Sequence, residues 1–171
     1  KSIIEAMGSE VKIDSVVGRG SSFYFKLVLN KALDSELKKE SVKNIYNFEG
    51  KKVLLVEDNL INIMVGKQIL EKEKLIVEVA NNGEIAVEKV KENTYDVILM
   101  DIQMPVMDGY EASIEIRKFN KEIPILALSA SIFMEVKDKI NESGMDGFIF
   151  KPFDPKELLK EIDFFVNKKT T

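Results

Sequence analysis

The sequence predicts an open, doubly wound α/β fold: a five-stranded parallel sheet in the order 2-1-3-4-5, preceded by a small antiparallel hairpin. Three observations carry this. Apolar runs of strand length (V-L-L-V, V-I-L-M, I-L-A-L and F-I-F) recur after residue 51, rich in the β-branched and aliphatic residues that strands buried on both faces require. Stretches with helical spacing separate them, so the chain reads β-α-β-α. Each run also stops at a polar residue: Glu57-Asp58, Asp101, Ser129 and Lys151. In such a sheet the ligand crevice lies outside the carboxyl ends of the strands. Three carboxylates, a hydroxyl and an ammonium are therefore expected at one crevice.

Taken in order, residues 1–30 read as a short helix end and a hairpin. Val11, Ile13, Ser15 and Val17 alternate with Lys12, Asp14 and Val16, Gly18-Arg19-Gly20-Ser21 turns the chain, and Phe23, Phe25, Leu27 and Leu29 return. Residues 31–50, rich in Lys and Glu, suit a solvated linker. The main domain is expected over 51–171. After its first strand, Asn59 caps a helix with Ile61, Val65 and Ile69 at four-residue spacing and Met64 and Leu70 beside them. Leu75–Ala80 alternates like an edge strand. Asn82-Gly83 opens the next helix, and Asp96–Asp101, the most continuously apolar run, should be central. Asp108-Gly109 leads into a helix reaching about Phe119, Pro124 opens a strand, and Ile132–Ser143 is helical until Gly144. Pro155 suits a first helical turn, and Leu158, Leu159, Ile162, Phe165 and Val166 line one face of the last helix.

Composition narrows the function. With no cysteine, disulfides and thiolate chemistry are excluded, and with no histidine so are an imidazole base, an imidazole zinc site and a phosphohistidine within this chain. Residues 51–171 carry 17 basic and 22 acidic side chains and residues 1–50 carry 8 and 7, so neither part reads as a nucleic-acid binder. No apolar run approaches the roughly 18–20 residues of a membrane helix, so no membrane contact is expected of this segment. The lack of cysteine fits a reducing, cytoplasmic location, within a parent polypeptide that a membrane can still anchor. The chain opens on Lys1, which predicts that it was cut from a longer polypeptide.

The oxygen-only cluster selects magnesium, with manganese as the alternative, over zinc. A carboxylate beside a bound cation can attack a phosphoryl donor in line and become an aspartyl phosphate, whose charge Lys151 and Ser129 would then meet. Taken singly, these residues have plainer readings: Glu57-Asp58 as a solvated turn, Ser129 as a strand-end cap, Phe148 as core. Their coincidence at matching strand ends favours the chemical reading for all but Phe148, where packing and switching stay open.

The segments V-L-L-V-E-D-N, D-V-I-L-M-D-I-Q-M-P-V-M-D-G-Y, A-L-S-A and F-I-F-K-P-F resemble, in order, a receiver domain of two-component signalling over residues 51 to about 168. That resemblance implies a flavodoxin-like fold and assigns roles by position. Asp101 is the phospho-acceptor. Glu57, Asp58, Asp101 and the Gln103 backbone carbonyl hold magnesium, Lys151 is the family's lysine, and Ser129 and Phe148 are the switch pair. Pro105 and Pro152 fall where the family places prolines, and Ala130 is small as the phosphoryl group requires. Serine stands at 129 for the commoner threonine, and phenylalanine at 148 for tyrosine. The segment E-A-M-G-S-E-V-K-I-D-S-V-V-G-R-G-S-S-F-Y-F-K-L resembles the end of a histidine-kinase ATP-binding domain, its turn falling at Gly18, Gly20, Ser21 and Phe23. Together they imply a hybrid histidine kinase whose nucleotide boxes and phosphorylatable histidine lie upstream. This chain alone is expected neither to bind ATP well nor to autophosphorylate.

The implied partner is a phosphohistidine-bearing kinase core or histidine phosphotransfer protein. A second copy of the chain is a further candidate, through the hairpin or the surface near 132–151. Three rivals fare worse. A haloacid-dehalogenase-like phosphatase needs a second aspartate where Gln103 stands. A flavin module would have its phosphate repelled by Glu57-Asp58. A stand-alone transcription regulator needs a DNA-binding domain beyond the last helix.

Overall fold

The computed structural model describes residues 4–5, 8–26, 46–130 and 134–167. It divides into two units, residues 1–44 and 45–171. The first contains the expected hairpin, β1 (Lys12–Val16) and β2 (Gly20–Tyr24), paired antiparallel with Ile13 opposite Phe23 and Ser15 opposite Ser21. The turn is tighter than its sequence suggests. Val17–Arg19 form the loop while Gly20 and Ser21 already belong to β2, and Gly18 supplies the positive φ (+77°) that an L side chain resists. Leu27, Leu29 and linker residues 31–45 lie outside the described residues.

The second unit alternates β3 (Lys52–Val56), α1 (Leu60–Lys72), β4 (Ile76–Ala80), α2 (Gly83–Glu92), β5 (Val97–Asp101) and α3 (Gly109–Arg117), then β6 (Ile125–Ser129), α4 (Met134–Glu142), β7 (Gly147–Phe150) and α5 (Pro155–Asn167). Its strands are all parallel, in the order β4-β3-β5-β6-β7, which is the predicted 2-1-3-4-5. β5 is central and wholly buried, and β4 lies at the edge. Alternate strand residues feed two cores. Leu54, Val56, Ile98 and Met100 face Ala86, Ala112, Ile116 and Ile140 of α2, α3 and α4. Val53, Leu55, Leu99 and Leu128 face Leu70 of α1 and Leu158, Ile162 and Val166 of α5.

Two details depart from the sequence reading. Phe48, placed in the linker, is 1% exposed and belongs to the second core, so this unit's packing begins ahead of residue 51. In α1 the stripe Ile61–Met64–Val65 does not face the sheet. Ile61 and Met64 are each 71% exposed, while Gly66 and Leu70 are buried and Ile69 is half-buried. A helix with apolar residues on two faces has no unique inward side by spacing alone. Here Gly66 settles it, because a Cβ there would lie only 3.1 Å from Leu55 Cδ2, so this face can press against β3.

Candidate functional site

Register brings the four strand ends level. Val56 pairs with Ala80 and Met100, Asp101 with Leu128, and Ser129 with Phe150. Glu57, Asp101, Ser129 and Lys151 therefore emerge along one edge of the sheet, in a cleft that Asp58, Gln103 and Ala130 also line. The ladder runs on past the strands, with Glu57 N–H donating to Ala80 O (3.0 Å) and Lys151 N–H to Ser129 O (2.8 Å). This fixes the backbone from which the charged side chains project.

Lys151 Nζ sits between two carboxylates, 2.5 Å from Glu57 Oε2 and 2.7 Å from Asp101 Oδ2. Asp101 Oδ1 accepts the Gln103 N–H at 3.3 Å. Burial raises the Asp101 pKa and Glu57's charge adds to it, while Lys151 and the Gln103 N–H pull the other way. Carboxylate oxygens of Glu57, Asp58 and Asp101 all lie within 4.8 Å of one another. Three oxygen donors with no nitrogen or sulfur among them fit a hard divalent cation such as magnesium. Asp58 is exposed and faces the cleft, whereas Glu57 is 1% exposed.

The structure thus brings Glu57, Asp58, Asp101, Gln103, Ser129 and Lys151 together around one cleft. Phe148 stands apart. It is half-buried on β7 opposite Ala127, with its ring edge-on to Phe150 at 5.1 Å, packed against the first core. Sequence reasoning missed the supports. The Gly109 Cα runs so close to β5 that a Cβ would strike Asp101 O at 2.2 Å, and Gly109 N–H donates to Ile102 O at 3.0 Å. Val106 has φ +73° in a three-residue turn closed by Met107 N–H onto Pro105 O (2.9 Å), a conformation a β-branched residue adopts only under constraint. Asn62 donates to Glu57 Oε1 at 3.0 Å. Its signal was the spacing from Asn59, which puts both asparagines in the first turn of α1.

The profile of the response regulator receiver domain matches residues 53–163. The chain belongs to that family. The autoinducer 2 sensor kinase/phosphatase LuxQ of Vibrio vulnificus is 35% identical over 96% of this chain, and the peroxide stress-activated histidine kinase of Schizosaccharomyces pombe is 38% identical over 80%. This receiver chain spans 20% of the first relative's length and 9% of the second's. Among solved structures, the receiver domain of a Pseudomonas aeruginosa sensor histidine kinase, with magnesium coordinated in its active-site cleft, is 34% identical with a TM-score of 0.66. That match covers 69% of this chain and 98% of the other. A second receiver, that of a response regulator co-crystallised with the Saccharomyces cerevisiae histidine phosphotransfer protein upstream of it, is 34% identical with a TM-score of 0.68, covering 72% and 94%. Among the described residues of this receiver, no helix is long and apolar enough to cross a membrane.

Proposed function

We propose that this chain is the receiver segment of a hybrid histidine kinase and that Asp101 accepts a phosphoryl group from a phosphohistidine. The observation that carries the reading is the Lys151 ammonium held 2.7 Å from Asp101 within a cluster of three carboxylates. An Asp101 oxygen attacks phosphorus, the P–O bond forms as the P–N bond breaks, and the electron pair leaves on the imidazole nitrogen. Lys151 neutralises charge on the acceptor and the transferred group, and the Ser129 hydroxyl donates to a phosphoryl oxygen. Asp58, Asp101 and the Gln103 carbonyl, with Glu57 directly or through water, would hold magnesium, which when bound supplies charge neutralisation for the carboxylates and phosphoryl oxygens; manganese has the same donor preference. Ser129 drawn toward the new anion leaves space for Phe148, shifting a pre-existing equilibrium by about 1–3 kcal/mol. Residues 131–133, which follow Ala130, lie outside the described residues.

The alignment with LuxQ over nearly the whole chain supports reading 1–30 as the end of a kinase ATP-binding domain, 31–50 as the connector and 51–171 as the receiver. The phosphoryl group then originates from ATP, which supports a cytoplasmic location for this segment whether or not the parent kinase is anchored in a membrane. The hairpin exposes Val11, Ile13, Phe23 and Phe25, an apolar set that suits packing on the rest of that domain or on a second copy.

Phosphoramidate, which carries the P–N bond of phosphohistidine, tests the reading. With magnesium the protein gains one phosphoryl group, mapped by peptide mass to Asp101, and chelation of the metal abolishes the gain. Labelling elsewhere, or labelling indifferent to the metal, would overturn the assignment. The histidine protein itself is expected to dock on Leu60, Ile61, Met64 and Val65, the exposed apolar face of α1 beside the cleft. Ile61→Glu should slow transfer from a phosphorylated kinase core at least tenfold more than it slows labelling by phosphoramidate. Equal effects on the two donors would remove α1 from the docking surface.

A further inference from the structure

Glu57 is the most deeply buried of the cleft's charged groups, and every donor it meets has a direction. Its Oε1 accepts the Asn62 Nδ2–H at 3.0 Å and the Asn59 N–H at 3.3 Å, and its Oε2 accepts Lys151 Nζ at 2.5 Å. Asn62 is itself fixed. The Asn59 side chain caps α1 by accepting from Ile61 N–H (2.9 Å) and Asn62 N–H (3.3 Å), so the first helical turn aims the Asn62 amide back at the strand end. We propose that Asn62 is a positioning residue for phosphoryl transfer, acting through Glu57 on Lys151. This deepens the assignment of Asp101 as acceptor and rests on it.

The reasoning concerns a shared ammonium. Lys151 lies between Glu57 and Asp101 at nearly equal distances, and its usefulness to the incoming phosphoryl group depends on not collapsing onto Glu57. Donors on Oε1 draw Glu57's charge density away from Oε2 and fix the plane of its carboxylate, which leaves Lys151 poised toward Asp101. They also occupy the lone pairs that Glu57 could otherwise turn into the cleft. Of the three carboxylates within reach of one cation, Glu57 is thereby held toward Asn62 and Lys151, while Asp58 and Asp101 offer the cation the freer oxygens. A glutamate has one more rotatable bond than an aspartate, so at this position it needs such an anchor more. Removing groups that orient the charged residues around a metal commonly costs about 10–100-fold.

The test separates positioning from structural support. Asn62→Asp is isosteric and replaces a donor with a like charge. Its labelling rate with phosphoramidate at saturating magnesium should fall at least tenfold. Its magnesium affinity, measured by calorimetry on the unphosphorylated protein, should rise as Glu57 and the new carboxylate turn toward the cation. Asn62→Ala should show the same split at smaller size. Asn62→Gln keeps an amide donor and should label within about threefold of wild type. Wild-type rates and affinities in Asn62→Asp and Asn62→Ala would overturn the proposal, as would equal losses in all three variants with magnesium affinity unchanged. Failure of the wild type itself to label would instead strike the assignment of Asp101.

Discussion

Asp101→Asn should abolish phosphoryl labelling and, at the same time, raise the melting temperature of the metal-free protein at neutral pH. The first effect follows from the loss of the nucleophile: a neutral amide oxygen neither attacks phosphorus nor neutralises a cation, so labelling should fall by orders of magnitude. The second follows from the direction of the pKa shift. Burial, with repulsion from Glu57 added, raises the Asp101 pKa in the folded state above its unfolded value, against the opposing pull of Lys151. A raised carboxylate contributes stability that is fully present below the unfolded pKa of about 3.9 and is lost as pH rises through the folded pKa. At pH 7 the ionised Asp101 therefore costs the fold free energy, and asparagine removes that cost while still accepting from Gln103 N–H. Lys151 retains Glu57. The gap between variant and wild type should narrow as pH falls toward 4. Magnesium should stabilise the wild type more than the variant, since only the wild type keeps all three carboxylates. Thermal scans of both proteins with chelator and with magnesium measure all of this. A variant less stable than wild type without metal would show that the Lys151–Asp101 pair outweighs burial and repulsion.

Arg117→Met should destabilise the receiver by about 2–4 kcal/mol while leaving the chemistry at low temperature intact. Arg117 ends α3, and its guanidinium donates to Gly144 O (2.7 Å), Asn120 O (3.1 Å), Ile123 O (2.8 Å) and Asp146 Oδ2 (2.8 Å). Asp146 Oδ2 in turn accepts Ile125 N–H at 2.8 Å. One side chain therefore ties the end of α3 to the start of β6 and to the turn before β7. These are the beginnings of the two strands whose far ends carry Ser129 and Lys151. Burial lowers the Arg117 pKa and Asp146 opposes the shift, and from so high a starting value the group stays charged at neutral pH. Methionine keeps the packing of the stem, leaves three carbonyls without their donor and strips the Asp146 carboxylate of its counter-charge. Lysine should not rescue, because a single ammonium cannot reach acceptors arranged around a planar fork. Urea unfolding of the two variants is the measurement, and a loss below 1 kcal/mol would show that water replaces the guanidinium at little cost. The clamp lies at the opposite end of the sheet from the cleft, so phosphoramidate labelling of Arg117→Met at low temperature should match wild type.

How much of this was legible beforehand depends on which atoms carry the information. The sheet and the identity of its polar stops could be read directly, because a parallel strand buried on both faces must be continuously apolar and betrays its end by its first charged residue. β5 and its Asp101 are the clearest case, and the place of α5 followed in the same way from a single apolar stripe. Other features have no such signature. The Arg117 clamp is built on backbone carbonyls, which every residue possesses, and the closeness of Gly109 to Asp101 O is a distance between main chains. Phe48 looks like linker in a polar stretch until the second core creates a place for it.

The sequence by itself determined the fold class, the strand order and the strand-end groups that meet in the cleft, since hydrophobic periodicity and strand-end chemistry are local properties. Only the tertiary structure decided which face of α1 turns outward and how the cleft's charges are partnered. Leu60, Ile61, Met64 and Val65 are as apolar as the residues that pack inward, and Gly66 against Leu55 breaks the tie. Glu57 and Asp58 are neighbours of the same chemical type, yet one is sealed behind Asn62 and Lys151 and the other opens to solvent. Adjacent residues leaving a strand point to opposite sides, and what waits on each side is a property of the packed molecule.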